Sequence, residues 1–200
     1  MGKRQLAAQE TRRRIIAAAE NLIRERGFEA VGVQEIAYEA GVAKGSFYTY
    51  FKHKEDVVAE IARSKFVTVE ERAKSAGGVG EQITAFLTES MRYIVDTGLG
   101  VCRQWLKNVV EPQDVQGKSK LSYDTGVIRS MLAAAAERGE LRADTPVNDL
   151  ADTIAAAYYG AVTVWAITDG KTDPIKILET YGTGALRAAL AEYRTKKEQA

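Results

Sequence analysis

Apolar residues recur every three or four positions along most of the chain, which is the spacing of one face of an α-helix. In the first such stretch, from about Ala8 to Arg26, Ile15, Ala19 and Leu22 fall on a common face, and Gly27 then ends the pattern. No stretch shows the strict alternation of apolar and polar residues that a half-buried strand requires. The pattern therefore predicts an all-α protein.

The same periodicity, together with the positions of glycine and proline, predicts eight more helices. They cover roughly residues 33–40, 44–50, 54–74, 81–97, 99–110, 118–138, 146–169 and 174–196. Thr145-Pro146 and Asp173-Pro174 each place a capping side chain before a proline at the first helical position. Gly77 to Gly80 is the best linker candidate. We expect a three-helix first domain, residues 1–54, which a long fourth helix joins to a five-helix second domain, residues 55–200.

Charge adds a local feature to this picture. The chain has a net charge of +1, so its overall charge does not indicate a nucleic-acid partner. Basic residues nevertheless cluster in two places, namely Lys3, Arg4, Arg12, Arg13 and Arg14 near the N-terminus, and then Lys44, Lys52 and Lys54. A nucleic-acid site, if present, is expected in this first part of the chain.

Cysteine content and hydropathy indicate the cellular compartment of the protein. A single cysteine, Cys102, excludes an internal disulfide and suits a reducing cytoplasm, and its apolar surroundings favour a buried thiol. The basic N-terminus lacks the apolar segment of a secretory signal. We expect no stretch to approach the length of a membrane span, because the longest apolar run, around Ala155 to Ile167, is interrupted by Gly and Thr. These features predict a cytoplasmic protein with no membrane partner.

The segment from Val33 to Phe51 has the spacing of a helix-turn-helix, in which two helices cross at a steep angle through a short turn. The crossing needs a small residue in the first helix, which is Ala37, and a residue that tolerates positive φ four positions later, which is Gly41. The residues expected to face inward are Ile36, Ala40, Val42, Phe47 and Phe51. Those left for the outer surface are Lys44, Ser46, Tyr48, Thr49 and Tyr50.

These outward residues have the chemistry of a DNA-reading helix. A lysine donates to guanine edges or to phosphate, hydroxyls bond bases or backbone, and tyrosines commonly hold phosphates. Gly45 would let the backbone come close to the groove, and Lys54, at the start of the next helix, would hold a phosphate. Spacing alone leaves open the alternative of an ordinary helical hairpin with a solvated basic face.

The stretch from Thr11 to Val57 closely resembles the DNA-binding domain of the TetR family of regulators. It contains that domain's first helix, its Gly-Phe stop, the IA-x-x-AGV turn and the KGSFYTYF-x-x-K signature. The resemblance implies that Lys44, Gly45 and Ser46 read bases in the major groove. It also implies that four other residues grip phosphates or support that grip, namely Tyr48, Thr49, Tyr50 and Lys54.

The chain departs from the family's pattern just before the second helix, where Gly32 stands in place of the usual Thr. The phosphate contact of that side chain is then lost or replaced by Gln34. His53, the only histidine, is expected to be a solvated or phosphate-adjacent side chain rather than a metal ligand or a catalytic group.

Large amphipathic side chains in the second half would suit either a ligand cavity or a plain core. The residues in question are Met91, Trp105, Tyr123, Tyr158 and Trp165. The resemblance favours a pocket for a small apolar or aromatic molecule, because the family generally binds an effector in this domain. Three acidic residues, Glu89, Asp96 and Glu111, would suit a cationic ligand if they face that pocket.

The last two predicted helices are rich in small residues. They are Ala155, Ala156, Ala157, Gly160 and Ala161, followed by Gly182, Gly184, Ala185, Ala188 and Ala189. Small residues suit either a tight monomer core or a self-complementary interface, and the resemblance implies a two-fold homodimer. Such a dimer would place two recognition helices about 34–36 Å apart on a near-palindromic site.

The sequence therefore predicts a ligand-responsive, dimeric repressor that a small molecule releases from a double-stranded DNA operator. The alternative is a general or architectural DNA-binding protein without a sensor, which a solid C-terminal core with no cavity would favour. An enzyme is disfavoured because the chain has one His, one Cys, and no paired metal-ligand or phosphate-cradling motif. We expect no cofactor and no metal.

Overall fold

The computed structural model of the protein describes residues 3–110 and 115–195. Its elements are α1 (Lys3–Arg26), α2 (Val33–Glu39), α3 (Lys44–Tyr50), α4 (Lys54–Ala73), α5 (Val79–Thr97), α6 (Leu99–Val110), α7 (Val115–Glu137), α8 (Val147–Ile167), α9 (Pro174–Tyr181), a π-helical turn (Gly182–Leu186) and α10 (Arg187–Ala191). Within those two ranges the regular structure is helical, apart from an isolated antiparallel bridge between Leu141 and Arg194. The all-α prediction is confirmed.

The two Pro-containing helix starts behave differently. At α9 the Asp173 side chain accepts the backbone N–H groups of Ile175 and Lys176 at 3.0 and 3.1 Å, as the sequence predicts for a capping residue. At α8 the capping prediction is wrong, because the helix begins one residue later than expected and has no side-chain cap. The Thr145 hydroxyl instead donates to the carbonyl of Arg142 at 2.6 Å, which closes the turn that precedes the helix.

The last predicted helix is interrupted, which the periodicity did not indicate. After α9 the backbone widens into the π-helical turn, and α10 ends at Ala191. Gly182 is buried against the Thr84 side chain of α5, so closely that a Cβ at this position would overlap the threonine. The regular helical repeat is therefore lost where the backbone is drawn against a neighbouring helix.

The first of two apolar cores joins α1 to α4, and we call these helices the head. Its buried members are Ile15, Ala18, Ala19, Leu22, Val31, Ile36, Ala37, Ala40, Phe47, Phe51, Val57 and Ile61. Because Val57 and Ile61 lie on α4, the packing of the head continues into that helix beyond residue 54. Tyr93 of α5 packs against the same cluster, so the head also contacts the second part of the chain.

The second core joins the C-terminal half of α4 to α5 through α10, and we call this part the body. α7 and α8 lie side by side at its centre, and Ile154, Tyr158 and Val162 of α8 are buried there. By length and composition alone α8 could cross a membrane, against the expectation that no stretch would. Its packing against α7 is what the central helix of a folded domain shows, and such a helix passes the same test.

Candidate DNA-binding and effector sites

The turn between α2 and α3 has the geometry that the sequence predicts. Gly41 adopts a φ of +64°, in the left-handed region that favours glycine. The N–H of Ala40 donates to the Ile36 carbonyl, and that of Val42 donates to the Ala37 carbonyl, each at 2.9 Å. With Ala37 buried beneath the turn, the two helices cross closely and α3 projects from the head.

The inward face of α3 is the one predicted, and the outward face agrees with the prediction except at Tyr50. Phe47 is completely buried, with its ring centroid 5.7 Å from that of Phe51. On the other side Lys44, Gly45, Tyr48 and Thr49 are exposed, while Ser46 and Tyr50 are half-buried. Tyr50 packs against the head core, so its ring supports the helix while the first five of these residues stand towards solvent. Their contacts with DNA remain a prediction.

The start of α2 is held without the side-chain oxygen that Gly32 lacks. The Glu35 carboxylate accepts the N–H of Gly32 at 2.9 Å and forms an ion pair with Arg26 at 3.0 Å. This arrangement links the end of α1 to the first turn of α2 and leaves Gln34 exposed beside it. A phosphate contact from Gln34 is therefore sterically open.

Sequence reasoning missed Tyr38 as a candidate DNA contact. It lies one helical turn after Gln34, on the same side of α2, and 85% of its surface is exposed. An exposed tyrosine beside a recognition helix has the phenol that phosphate contacts use. The i, i+4 spacing from Gln34 was the signal that would have identified it.

Lys54 has partners within the protein, whereas the sequence suggested a phosphate. Its ammonium donates to the carbonyls of Phe28 and Val31 at 2.7 and 2.8 Å and lies 3.8 Å from the centroid of the Phe28 ring. These contacts fasten the loop between α1 and α2 to the start of α4. The structure thus supports the positioning role that the resemblance allows for Lys54. His53 is exposed at the N-cap of α4, where its own N–H donates to Asp56 at 2.9 Å.

The basic residues of α1 are only partly available to a ligand. Arg12 forms an ion pair with Glu60 at 2.9 Å and lies over the Phe51 ring, and Arg13 pairs with Glu10. Arg14 is exposed, and its guanidinium lies beside Gly41 in the turn. Arg14 therefore adds a positive charge beside the turn that leads into α3, in addition to that of Lys44.

The residues predicted to bind an effector converge on the body core. Met91, Tyr158 and Trp165 are buried members of it, and Trp105 and Tyr123 pack against it half-buried. Trp105 of α6 stacks on Tyr159 of α8, with ring centroids 5.6 Å apart. Trp105, Tyr158 and Tyr159 thus meet where α6 packs against α8, with α7 alongside.

A buried polar cluster at this meeting point escaped the sequence analysis. Asp124 of α7 is 1% exposed, and its carboxylate accepts the Tyr159 hydroxyl at 2.8 Å and contacts the Lys120 ammonium one turn earlier. Burial lowers the pKa of Lys120, although the adjacent carboxylate favours the charged form. The acidic residue next to the aromatics is therefore Asp124.

Of the three acidic residues considered from the sequence, the structure describes two. Glu89 is half-buried on α5, Asp96 is exposed near the end of that helix, and Glu111 lies outside the described residues. Lys120 and Asp124 show an i, i+4 spacing of opposite charges, which by itself is typical of an exposed helix face. Only packing against α8 reveals that the pair is buried.

Tyr123, next to Asp124, connects α7 to α4 instead of facing the cluster. Its hydroxyl donates to the Glu70 carboxylate at 2.9 Å, and Lys74 pairs with the same carboxylate. Burial and this hydrogen bond raise the pKa of Tyr123, so its phenol keeps its proton at neutral pH. α7 is therefore hydrogen-bonded to α8 through Asp124 and to α4 through Tyr123.

Comparison with known protein families identifies the head. Residues 15–61 match the family model described as "Bacterial regulatory proteins, tetR family". These residues include every buried member of the head core, from Ile15 to Ile61. The match thus coincides with the unit that packs around the helix-turn-helix.

Relatives and solved structures extend the similarity to the body. The fatty acid metabolism regulator protein of Bacillus subtilis strain 168 is 25% identical over 172 residues, covering 82% of this chain and 87% of the relative. The Thermus thermophilus FadR repressor, solved with lauroyl-CoA, superposes with a TM-score of 0.69 at 23% identity, covering 90% of this chain and 94% of that one. RolR, solved with resorcinol, gives a TM-score of 0.64 at 21% identity, covering 97% and 92%. The head therefore matches the tetR family model, and the chain as a whole shares the fold of these solved structures.

Proposed function

We propose that this protein is a cytoplasmic repressor that binds a palindromic DNA operator as a homodimer and leaves it when a small molecule binds the body. The observation that carries the proposal is the head, in which a buried Phe47 fixes α3 so that Lys44, Tyr48 and Thr49 face outward. Basic and hydroxyl side chains on a projecting helix are suited to the major groove and its phosphates. Gly45, Ser46, Tyr50 and Gln34 complete the proposed DNA surface, and Lys54 positions it.

Homodimerisation is supported by the outer sides of α8 and of the C-terminal helices. In the C-terminal part of α8, after Asp152, an uncharged stripe of exposed residues consists of Ala156, Gly160, Thr163, Val164 and Ile167. The second stripe consists of Thr180, Thr183, Gly184 and Ala188. Small and apolar exposed residues at this spacing allow two copies to pack helix against helix. The small residues named from the sequence divide between this surface and the core, since Ala155, Ala161 and Gly182 are buried.

The effector site is proposed at the aromatic side chains of the body, namely Met91, Trp105, Tyr123, Tyr158 and Trp165. Apart from Tyr123, whose hydroxyl is bonded to Glu70 of α4, these residues would surround a largely apolar or aromatic molecule. Two of the similar proteins were solved with such molecules, lauroyl-CoA in Thermus thermophilus FadR and resorcinol in RolR. An effector that fits only one arrangement of the two heads would shift the dimer towards that arrangement and lower operator affinity.

The decisive experiment is an operator-binding assay with DNA from the protein's own promoter region. The proposal expects retardation of a palindromic fragment at moderate salt and weaker binding to the same bases in scrambled order. Equal binding to both fragments would contradict it. If sequence-specific binding occurs but no small molecule changes it, the sensorless DNA-binding alternative is favoured.

A further inference from the structure

We propose that Tyr158, beside the Asp124–Lys120 pair, is the polar anchor of the effector site. It binds an uncharged carbonyl or hydroxyl oxygen that is attached to an apolar part of the effector. This inference rests on the proposed function and specifies the chemistry of its effector. It assigns to Tyr158 a hydrogen bond rather than only the apolar contact of its ring.

The first observation is an unused hydroxyl in the body core. Tyr158 is 1% exposed, and its oxygen is buried without a hydrogen-bond partner among the residues that the structure describes. A buried hydroxyl in this state is penalised, and buried polar groups in native proteins rarely remain unpaired. A phenylalanine would fill the same apolar space without that penalty. We infer that the partner of this hydroxyl is a group of the effector.

The second observation is the setting of this hydroxyl. The rings of Tyr158 and Tyr159 meet edge to face with centroids 5.3 Å apart, and Tyr159 in turn stacks on Trp105. The Lys120 ammonium lies 6.0 Å from the centroid of the Tyr158 ring. Burial and the nearby Asp124 carboxylate raise the pKa of Tyr158, so the phenol remains a neutral donor. Aromatic faces and one available donor thus occur together.

The charges of the cluster select an uncharged ligand group. Lys120 and Asp124 neutralise each other, and the Tyr159 hydroxyl also donates to the carboxylate. An anionic group would approach a buried carboxylate, and a cationic group would have to compete with Lys120 for it. A carbonyl or hydroxyl oxygen accepts from Tyr158 without adding charge to the core. The same reasoning argues against the cationic ligand considered from the sequence.

Two probes present an uncharged oxygen on different molecular scaffolds. Lauroyl-CoA offers a thioester carbonyl on an acyl chain, and resorcinol offers phenolic oxygens on an aromatic ring. A third compound, 3,5-dihydroxybenzoate, has the resorcinol ring with an added carboxylate and serves as the charged match. Titration of the full-length protein with each compound, followed by calorimetry, gives the dissociation constants.

The test variant is Tyr158→Phe, and the matched control is Tyr181→Phe, which removes a half-buried hydroxyl from α9. We expect Tyr158→Phe to bind whichever of lauroyl-CoA and resorcinol responds roughly tenfold more weakly, which corresponds to the loss of one hydrogen bond, while Tyr181→Phe binds like the wild type. The melting temperature of Tyr158→Phe should not fall, because no internal hydrogen bond is lost. A structural role for the hydroxyl would instead lower it.

Each result has a defined meaning. Response to lauroyl-CoA identifies the thioester as the source of the oxygen, response to resorcinol identifies the phenol, and weaker binding of 3,5-dihydroxybenzoate supports the requirement for neutrality. Absence of binding by both lauroyl-CoA and resorcinol at millimolar concentration, or equal binding to Tyr158→Phe and wild type, overturns the proposal. Operator binding without any probe is measured separately, so loss of the proposed function is distinguished from loss of this anchor.

Discussion

Lys44 and Phe47 stand less than one turn apart on α3 but differ completely in burial. Lys44 is exposed, whereas Phe47 is fully buried among the residues of the head core. We expect Lys44→Ala to weaken operator binding with little change in melting temperature, because exposed substitutions typically alter stability by less than about 0.5 kcal/mol. Phe47→Ala should lower the free energy of unfolding by about 3–5 kcal/mol through the cavity that it leaves. Retardation assays and thermal denaturation measure the two effects.

The variant Tyr48→Phe is a second, more conservative test of the outward face of α3, because it keeps the ring and removes only the exposed hydroxyl. It should behave like Lys44→Ala, with reduced operator affinity and an unchanged melting temperature. If Lys44→Ala or Tyr48→Phe instead lowered the melting temperature by several degrees, the assignment of the outward face of α3 would be wrong.

Cys102 offers a second test at the scale of one residue. The thiol is 3% exposed on α6, and burial raises its pKa to about 11. Since the thiolate is the reactive form, the native protein should react with a disulfide reagent at pH 8 far more slowly than the unfolded chain does. Because the folded pKa lies above the ordinary value of 9.0, this group's contribution to stability should decline as the pH rises from about 9 towards 11.

The measurement is the rate of thiol modification with and without denaturant, and the unfolded chain supplies the reference rate. Equal rates in the two states would show that the thiol is accessible and would contradict its burial. Slow native reaction would also exclude thiol oxidation as a direct signal for this protein, because oxidation follows thiolate character and exposure.

Side chains in the head could be placed from the sequence because their neighbours are close in the chain. Ala37, Gly41 and Phe47 lie within one short motif whose geometry fixes the facing of each. Asp124 and Tyr159 belong to different helices, and no local pattern reports their hydrogen bond. The unused hydroxyl of Tyr158 depends likewise on which helices surround it, so it emerged only from the structure.

At the scale of elements, α4 is fastened at both ends. Lys54 bonds its start to the α1–α2 loop, and Glu70, near its other end, accepts the hydroxyl of Tyr123 on α7. A shift of α7 would therefore displace α4, the helix that supports the head. Coupling between an effector and DNA needs such an element with contacts in both parts.

Tyr123→Phe tests this connection. The variant removes the hydrogen bond to Glu70 and should lower the free energy of unfolding by about 1 kcal/mol. If α7 transmits the effector signal through this bond, more effector will be needed to release the operator, whereas operator affinity without effector will change little. Thermal denaturation and an effector titration of the operator complex measure the two quantities.

The control for Tyr123→Phe is a double-mutant cycle with Glu70→Gln. Once Glu70 has lost its charge, removal of the Tyr123 hydroxyl should cost less than it does in the wild type. Independent, additive effects of the two substitutions would show that the hydrogen bond contributes nothing measurable to stability or to coupling.

Helix positions followed from periodicity because each helix needs one apolar face for burial. α2, α3 and α4 begin at the predicted residues, where glycine or a sharp change in pattern marks the boundary. The break after Tyr181 was missed because its cause is the contact of Gly182 with α5, nearly a hundred residues away in the chain. A tertiary contact of this kind changes the backbone geometry of the helix, but the hydrophobic periodicity of the sequence does not reveal it.

At the scale of the whole molecule, the head and the body touch at more than α4. Tyr93 of α5 packs on the head core, and the Glu29 side chain lies against Gly100 in the first turn of α6. α6 also carries Cys102 and Trp105, which pack in the body core. The separation of two heads in a dimer is therefore tied to the packing of the body, as the proposed release mechanism requires.

Gly160→Arg tests the dimer that this mechanism needs. Gly160 is exposed on α8, and a Cβ there would meet no atom within 4 Å in the part of the chain that the structure describes. The monomer should accept the arginine, and relief of a glycine in a helix favours stability by up to about 1 kcal/mol. At a two-fold interface, however, the arginines of both copies would separate the helices.

We expect Gly160→Arg to be a folded monomer in light scattering and to lose most of its affinity for the palindromic operator. The matched control is Gly126→Arg on α7, where a Cβ also meets no described atom within 4 Å but which lies away from the proposed dimer stripe. That variant should remain dimeric and bind the operator. A dimeric Gly160→Arg would place the interface elsewhere, and a monomer that still bound the full palindrome tightly would show that two joined heads are unnecessary for recognition.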